Sequence, residues 1–287
     1  MLRALNSGVS GIQQFQNKLD VIGNNIANSN TIAYKAARSD FADAFSQTLQ
    51  VSSASSSGAN QPGMQVGSGV TTSAVRNLFT QGALNRTGVG TDLAIDGDGF
   101  FVVRDSVSGA EYVTRAGDFR LDTAGFLVTN KGLRVQGFTD LALTTRGDIQ
   151  IEDSLRPATT APTASMSTFS VGRDGSIHLH MSDGSEYVRA QLVMQRFSDP
   201  QSLLKEGDNL FSGIGAAGPL GGSGSPLAQA PGTNGLGDIE SSALELSNVD
   251  LANEFANLIT TQRGFQASAR IITTSDEILQ ELVNLKR

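Results

Sequence analysis

The sequence predicts a mixed α and β protein, with long heptad helices at both ends that pair as a coiled-coil-like stalk and a central all-β domain between them. Apolar residues recur at alternating spacings of three and four in residues 1–30 and again in residues 242–287, a period typical of amphipathic helices. From Val70 onward the period changes to two, with Gly and Asp turns between short runs, which is typical of antiparallel strands.

The C-terminal stretch predicts one long amphipathic helix. Its heptad seam comprises Leu251, Phe255, Leu258, Phe265, Ala269, Ile272, Leu279 and Val283. Five further apolar residues widen this face beyond a two-stranded seam: Ile259, Ile271, Ile278, Leu282 and Leu285. A helix of roughly 40 residues would be about 60 Å long. We therefore expect something outside the local domain to cover this face.

The N-terminal stretch predicts a second heptad helix. Its seam comprises Leu2, Leu5, Val9, Ile12, Gln16, Leu19, Gly23 and Ile26, with Phe15 and Ile22 flanking it. Two such helices favour a coiled pair, and the surplus apolar width favours packing between many copies of the chain. The alternative is a globular protein whose terminal helices dock on its own core, and the pattern alone leaves both open.

Changes in composition predict the domain boundaries. Residues 1–50 and 240–287 form a terminal helical domain, in which Ser39 or Asp40 caps a short helix carrying Phe41 and Phe45. Residues 51–69 read as a linker arm, 70–212 as the central β domain, and 213–239 as a Gly-rich return segment. Within the β domain, the runs up to residue 197 end in a three-stranded meander that begins at Phe169.

The composition excludes several classes of function. A net charge of -7 with no basic patch argues against nucleic acid, and the absence of Cys excludes disulfides and thiolate metal sites. No apolar run has membrane-spanning length and no signal-like segment opens the chain. We therefore expect no membrane insertion, and export without a cleaved signal peptide if the chain leaves the cytoplasm.

The motifs with possible chemistry are all weak. Residues 213–218 match the spacing of a dinucleotide fingerprint, but Pro219 follows where a helix would begin. The turn at residues 96–99 lacks the ligand pattern of a calcium loop. His178 and His180 share a strand face but lack a third His or a Cys. We expect no catalytic, cofactor or metal site and no enzymatic activity; the competing class is an extracellular carbohydrate-binding or enzymatic β domain.

Three sets of motifs resemble the bacterial flagellar hook and rod proteins. The first is LDVIGNNIAN at residues 19–28, followed by residues 31–35. The second is TDLAIDGDGFF at 91–101 with TRAGDF at 114–119, and the third is LSNVDL at 246–251 with TQRGFQA at 261–267. Within this family the opening and the ending resemble hook proteins more than rod proteins. This chain is shorter than many hook proteins, which carry an extra outer β domain. The distal rod is therefore the alternative.

The resemblance implies a structural role. In the family, the terminal helices of neighbouring subunits form an inner tube around a channel, with the β domain outside. A hook subunit would polymerise with copies of itself into a universal joint outside the cell. Its further partners would be the rod and hook-filament junction proteins, the hook cap and the export apparatus. The expected polymerisation residues are Leu5, Ile12, Leu19, Ile26, Leu251, Phe255, Leu258, Phe265, Ile272 and Leu279.

Overall fold

The computed structural model describes residues 2–52, 62–140, 143, 145–152, 165–220 and 229–285. These residues form two long α-helices and a large β-sheet domain, which is the mixed class that the sequence predicts. The chain divides into two compact units. The terminal unit comprises Met1–Ser29, Ala36–Leu78 and Val249–Arg287, and the β unit comprises Asn30–Lys35 and Phe79–Asn248.

The terminal unit contains both helices, α1 (Leu2–Ala27) and α2 (Leu251–Leu285). Asp250 caps the start of α2, because its Oδ1 accepts hydrogen bonds from the backbone N–H groups of Ala252 at 2.9 Å and Asn253 at 3.2 Å. These bonds satisfy two of the free donors that every helix start leaves. The cap therefore sets where the long C-terminal helix begins.

Two antiparallel ribbons complete the terminal unit. Strand β1 (Ala37–Asp43) pairs with β4 (Val70–Asn77), and β2 (Ser46–Gln50) pairs with β3 (Met64–Gly67). The short helix that we predicted after Ser39 or Asp40 is therefore wrong. A short run with Phe41 and Phe45 fits either period, and the long-range pairing with β4 decides in favour of the strand.

The ribbons also depart from the predicted domain boundaries. Strand β4 lies in the stretch that we assigned to the central β domain, but its pairing with β1 places it in the terminal unit. Strand β3 lies inside the predicted linker arm. Residues 53–61 of that arm lie outside the described residues.

The β unit is built from seventeen described strands and one short 3₁₀ turn, Pro200–Ser202. The strands are β5 (Leu84–Arg86), β6 (Leu93–Asp96), β7 (Phe100–Arg104), β8 (Glu111–Thr114), β9 (Arg120–Leu121), β10 (Leu127–Val128), β11 (Arg134–Phe138), β12 (Arg146–Asp148), β13 (Met166–Val171), β14 (Ser176–Met181), β15 (Glu186–Leu192), β16 (Met194–Phe197), β17 (Leu204–Gly207), β18 (Leu210–Ser212), β19 (Pro219–Leu220), β20 (Asp238–Ser241) and β21 (Ala243–Glu245).

Most of these strands join one thirteen-stranded sheet. Its main path runs β13-β14-β15-β11-β7-β8-β18-β17, and β13, β14 and β15 are the predicted meander. Strands β20 and β21 pair instead with β6 and β5. We assigned the residues of β20 and β21 to the return segment and the terminal helical domain, but the pairing of these two strands places residues 238–248 in the β unit.

The core of the β unit has two layers, one on each face of β7. Phe101 and Val103 point into the larger cluster, whereas Phe100 and Val102 point into the smaller one. Successive side chains of a strand point to opposite faces, so a strand buried on both faces reads as a continuous apolar run. This explains the unbroken Phe-Phe-Val-Val of the sequence.

Asp148 carries a pH-dependent part of the stability of the β unit. Its carboxylate accepts hydrogen bonds from Arg104 Nη2 and Gln136 Nε2, both at 2.6 Å, and from Arg134 Nη1 at 3.0 Å. Burial alone raises the pKa of Asp148, but the hydrogen bonds from Gln136 and Arg134 and the charge of Arg104 outweigh it and lower the pKa. Because the folded-state pKa is lowered, this stabilisation is present above the ordinary Asp pKa of about 3.9 and is lost as the pH falls below it.

We expect Asp148→Asn to lower the free energy of unfolding at pH 7 by about 1.5–3 kcal/mol, the range for hydrogen bonds to charged groups. The difference from the unsubstituted chain should shrink as the pH falls towards 3, because protonation of Asp148, first in the unfolded chain, removes the stabilisation that its charge provides. Urea unfolding at pH 7 and at pH 3, monitored by circular dichroism, measures this difference in the free energy of unfolding. Asp122→Asn, on an exposed turn, is the control. An equal loss at both pH values would contradict the assignment.

Candidate assembly surface

The two helices of the terminal unit pack against each other in antiparallel directions. Gly8 lies against Ser268 and Ile272, and further along α1 the ring of Phe15 lies against Gly264. A Cβ added to Gly264 would lie 2.7 Å from this ring. Glycine is unfavourable inside a helix by about 1 kcal/mol, and the close approach of Phe15 explains its presence.

The face of α2 that packs on α1 follows a strict heptad. Its buried and half-buried heptad positions are Leu258, Thr261, Phe265, Ser268, Ile272, Ser275 and Leu279, and the half-buried Gly264 and Ala269 flank them. Sequence reasoning found the four large residues but missed the three hydroxyl residues, which are the fully buried ones. A search for apolar residues passes over Thr and Ser. Their regular seven-residue spacing is the signal that would have found them.

The buried hydroxyl of Thr261 is satisfied inside the helix. Its Oγ1 donates to the carbonyl of Asn257 at 2.6 Å. A hydroxyl that bonds the preceding turn can be buried without an unpaired donor. Small side chains at these positions also let the two helix backbones approach closely.

The predicted seam of α1 consists of two rows of residues, each with a spacing of seven. The structure agrees with only one of these rows. Leu5, Ile12, Leu19 and Ile26 are half-buried, as a packing role requires. The second predicted row, Val9, Gln16 and Gly23, is exposed. The row in its place, one residue earlier, is Gly8, Phe15 and Ile22, of which the first and last are buried. Val9 is more apolar than Gly8, but the absence of a side chain at Gly8 lets Ile272 approach closely, with its Cγ1 3.1 Å from where a Cβ would lie.

A second side of α1 is covered by the β1–β4 ribbon. The rings of Phe15 and Phe41 meet edge to face with centroids 6.2 Å apart. The Lys18 ammonium lies 5.8 Å from the same Phe41 ring. Ser10 Oγ accepts a hydrogen bond from the backbone of Val70 at 3.3 Å. α1 therefore packs against both α2 and the ribbon.

Asn25 joins three elements of the terminal unit. Its side chain makes two hydrogen bonds with the backbone of Ala37 on β1, at 2.8 and 2.9 Å, and a third with Glu254 Oε1 on α2 at 3.2 Å. Asn24 and Asn28 instead bond each other within the last turn of α1, at 2.7 Å. The Asn-rich motif therefore contains one contact between helices and one helix end.

Much of the apolar surface of α2 remains exposed in the single chain. Leu251 and Phe255, two of the predicted polymerisation residues, are 42% and 51% exposed. Six further apolar residues of α2 are also exposed, and we call these six the exposed α2 face. They are Ile259, Ile271, Ile278, Leu282, Val283 and Leu285, with exposures of 47–83%. Ile271, Ile278 and Leu285 recur every seven residues and form one apolar row, and exposed apolar surface of this kind marks an interaction site. This exposed apolar surface of α2 can bind another apolar surface, because the contact removes both surfaces from water.

The other candidate motifs have structural roles. His178 and His180 lie beside Glu186, with Nδ1 atoms 2.9 and 3.7 Å from its two carboxylate oxygens. Within the described ranges, no three His, Cys, Asp or Glu side chains are placed to hold a metal ion. The turn at residues 96–99 has Gly97 and Gly99 at positive φ, which glycine adopts readily. Among the described residues, no helix combines the length and apolar character of a membrane span.

Three family models match the chain in order. A model described as "Flagella basal body rod protein" matches residues 5–35, and the "Flagellar hook protein FlgE/F/G D1 domain" matches residues 94–179. A third, "Flagellar basal body rod FlgEFG protein C-terminal", matches residues 240–285. The first and third include most of the two helices, and the second lies in the β unit.

Relatives match over the whole length. The chain is 42% identical to the flagellar basal-body rod protein FlgG of Bacillus subtilis, with 100% of both chains covered. It is 35% identical to the protein of the same name from Agrobacterium fabrum, covering 96% of this chain and 97% of that one. It is 26% identical to the flagellar hook protein FlgE of Borreliella burgdorferi, with 100% of both covered in an alignment of 450 positions. The chain therefore belongs to the flagellar hook and basal-body rod family, whose members are structural components of the flagellum.

Proposed function

We propose that this protein is a subunit of the distal rod of the flagellar basal body, and not the hook subunit that its opening and ending resemble. The observation that carries the proposal is the 42% identity to a basal-body rod protein over the full length of both chains. That alignment spans 295 positions, close to the 287 residues of this chain. The alignment with the hook protein spans 450 positions, so a large part of it lies opposite gaps.

The terminal unit supports polymerisation as the means by which the rod is built. In this proposal the α1–α2 pair is a coiled-coil-like stalk, and the heptad positions of both helices support it. The exposed α2 face packs against helices of neighbouring copies, because water is then removed from its apolar side chains. Contacts between different faces of identical subunits give an open helical tube when the rotation between neighbours does not close a ring. The tube lies outside the cytoplasm and joins neighbouring rod and hook components.

The test is electron microscopy of hook-basal bodies purified from a strain that lacks this gene. We expect the distal rod and everything beyond it to be missing, and a plasmid copy to restore them. Immunogold labelling with antibodies against the chain should then decorate the rod. A complete rod that lacks only the curved segment beyond it would overturn the rod assignment in favour of the hook. Intact flagella would overturn both.

A further inference from the structure

Three charged side chains are buried together in the β unit. Lys35, Glu245 and Arg115 have side chains that are 1%, 0% and 3% exposed. Lys35 Nζ donates to Glu245 Oε1 at 2.7 Å and to the carbonyl of Thr80 at 2.8 Å. Arg115 Nη1 lies 3.5 Å from the other oxygen, Glu245 Oε2. One carboxylate therefore serves as the counter-ion of two cations.

This carboxylate has no substitute nearby. Glu245 is the only acidic residue that is fully buried in the part of the chain that the structure describes. Burial lowers the pKa of Lys35, and the charge and hydrogen bond of Glu245 act in the opposite direction. A buried charge that loses its partner is strongly destabilising, because the charge has given up its hydration without compensation. Without Glu245, the β unit would enclose two unpaired cations.

Glu245 is also the last of the three along the chain. It follows Lys35 by 210 positions and lies at the end of β21, the last strand. Its placement depends on docking of that strand. The backbone N–H of Gly82 donates to Glu245 Oε1 at 2.8 Å, and the N–H of Ala33 donates to the Glu245 carbonyl at 2.8 Å. Contacts between such distant residues form only after the entropy of closing a long loop has been overcome.

We propose that Glu245 is a folding lock: the β unit closes around Lys35 and Arg115 only when the segment carrying β20 and β21 docks and delivers the carboxylate. A chain whose segment at residues 238–245 has not docked stays open and keeps both cations in water. The lock therefore couples completion of the β unit to the presence of a segment from the C-terminal part of the chain.

The first test compares two substitutions in the full chain. Glu245→Gln removes the charge and keeps the shape of the side chain. Glu240→Gln is the matched control, because Glu240 on β20 pairs with Arg86 at 2.7 Å at a partly exposed site. We expect Glu245→Gln to accelerate proteolysis of the β unit by at least about 100-fold and Glu240→Gln to change it by less than about fivefold. Equal rates for the two variants would overturn the lock.

A second variant separates charge from packing. Lys35→Met added to Glu245→Gln removes one of the uncompensated cations, and the introduced amide oxygen can still accept the hydrogen bond from the Gly82 N–H. We expect this double variant to recover at least about tenfold of the lost protease resistance. If the double variant is cleaved as fast as Glu245→Gln alone, the charge is not the cause and the proposal fails.

Pulse-labelling hydrogen exchange during refolding of the full chain tests the order of events. We expect the amides of β7 and β8 to become protected together with those of β20 and β21. Protection of β7 and β8 well before β20 and β21 would mean that the body closes without Glu245 and would overturn the proposal.

Discussion

Phe265→Asp is expected to abolish assembly of the protein into tubes while leaving the β unit folded. Phe265 lies at the middle of α2, half-buried in the heptad seam against α1. Removing a packed phenylalanine side chain destabilises by about 3–5 kcal/mol, and a carboxylate in its place adds an unpaired charge to an apolar contact. Because the substitution lies in the terminal unit, we expect its effect to stay there. Sedimentation and negative-stain electron microscopy measure assembly, and limited proteolysis reports on each unit.

The matched control for this variant is Gln266→Asp. Gln266 is the next residue of α2 and is exposed, so the same new charge faces water and adds no charge to the seam. We expect the control chain to keep the α1–α2 pair resistant to protease. Tubes formed by Phe265→Asp at the normal protein concentration would show that the helix pair is not needed for assembly.

Ile271→Asp combined with Ile278→Asp is expected to separate assembly from folding. Both side chains are 47% exposed in the single chain and lie seven residues apart on the exposed α2 face. Because about half of each side chain already faces water, their replacement should lower the free energy of unfolding by less than Phe265→Asp does. In a polymer the same positions would be buried, and two carboxylates there would be unpaired. We therefore expect a folded chain that does not polymerise, measured by circular dichroism melting and by sedimentation.

Thr273→Asp is the control for position along the helix. Thr273 is exposed and lies between the two isoleucines in sequence, but on a different face of α2. Loss of helix content in the double variant would mean that these isoleucines stabilise the single chain. Normal tubes from the double variant would remove the exposed α2 face from the assembly surface.

The motifs of the sequence identified the family, but the terminal motifs did not separate its members correctly. The LDVIGNNIAN and TQRGFQA segments lie on the two helices, where the family resemblance and the heptad pattern coincide. The opening and ending residues favoured the hook, whereas similarity over the whole chain favours the rod alternative. Short terminal motifs are shared between related subunits. The middle of the chain, by its size and its alignment, separates them better.

The local pattern was sufficient for elements with a long, regular period. Residues 251–285 form one helix because apolar residues recur over all 35 residues, and the meander at β13, β14 and β15 follows from alternation between Gly turns. The pattern failed at residues 37–43, which are too short for one period to dominate. There the strand is determined by β4, about 30 residues further along the chain.

The sequence by itself determined that both ends are heptad helices, that the middle is a β structure, and that the chain belongs with flagellar axial proteins. Only the tertiary structure decided which row of α1 meets α2, that Thr261, Ser268 and Ser275 fill the seam, and that Glu245 lies between Lys35 and Arg115. The physical reason is the range of the interactions. Periodicity records which residues share a face of one element, whereas the partner of that face is set by contacts between residues that are far apart in sequence.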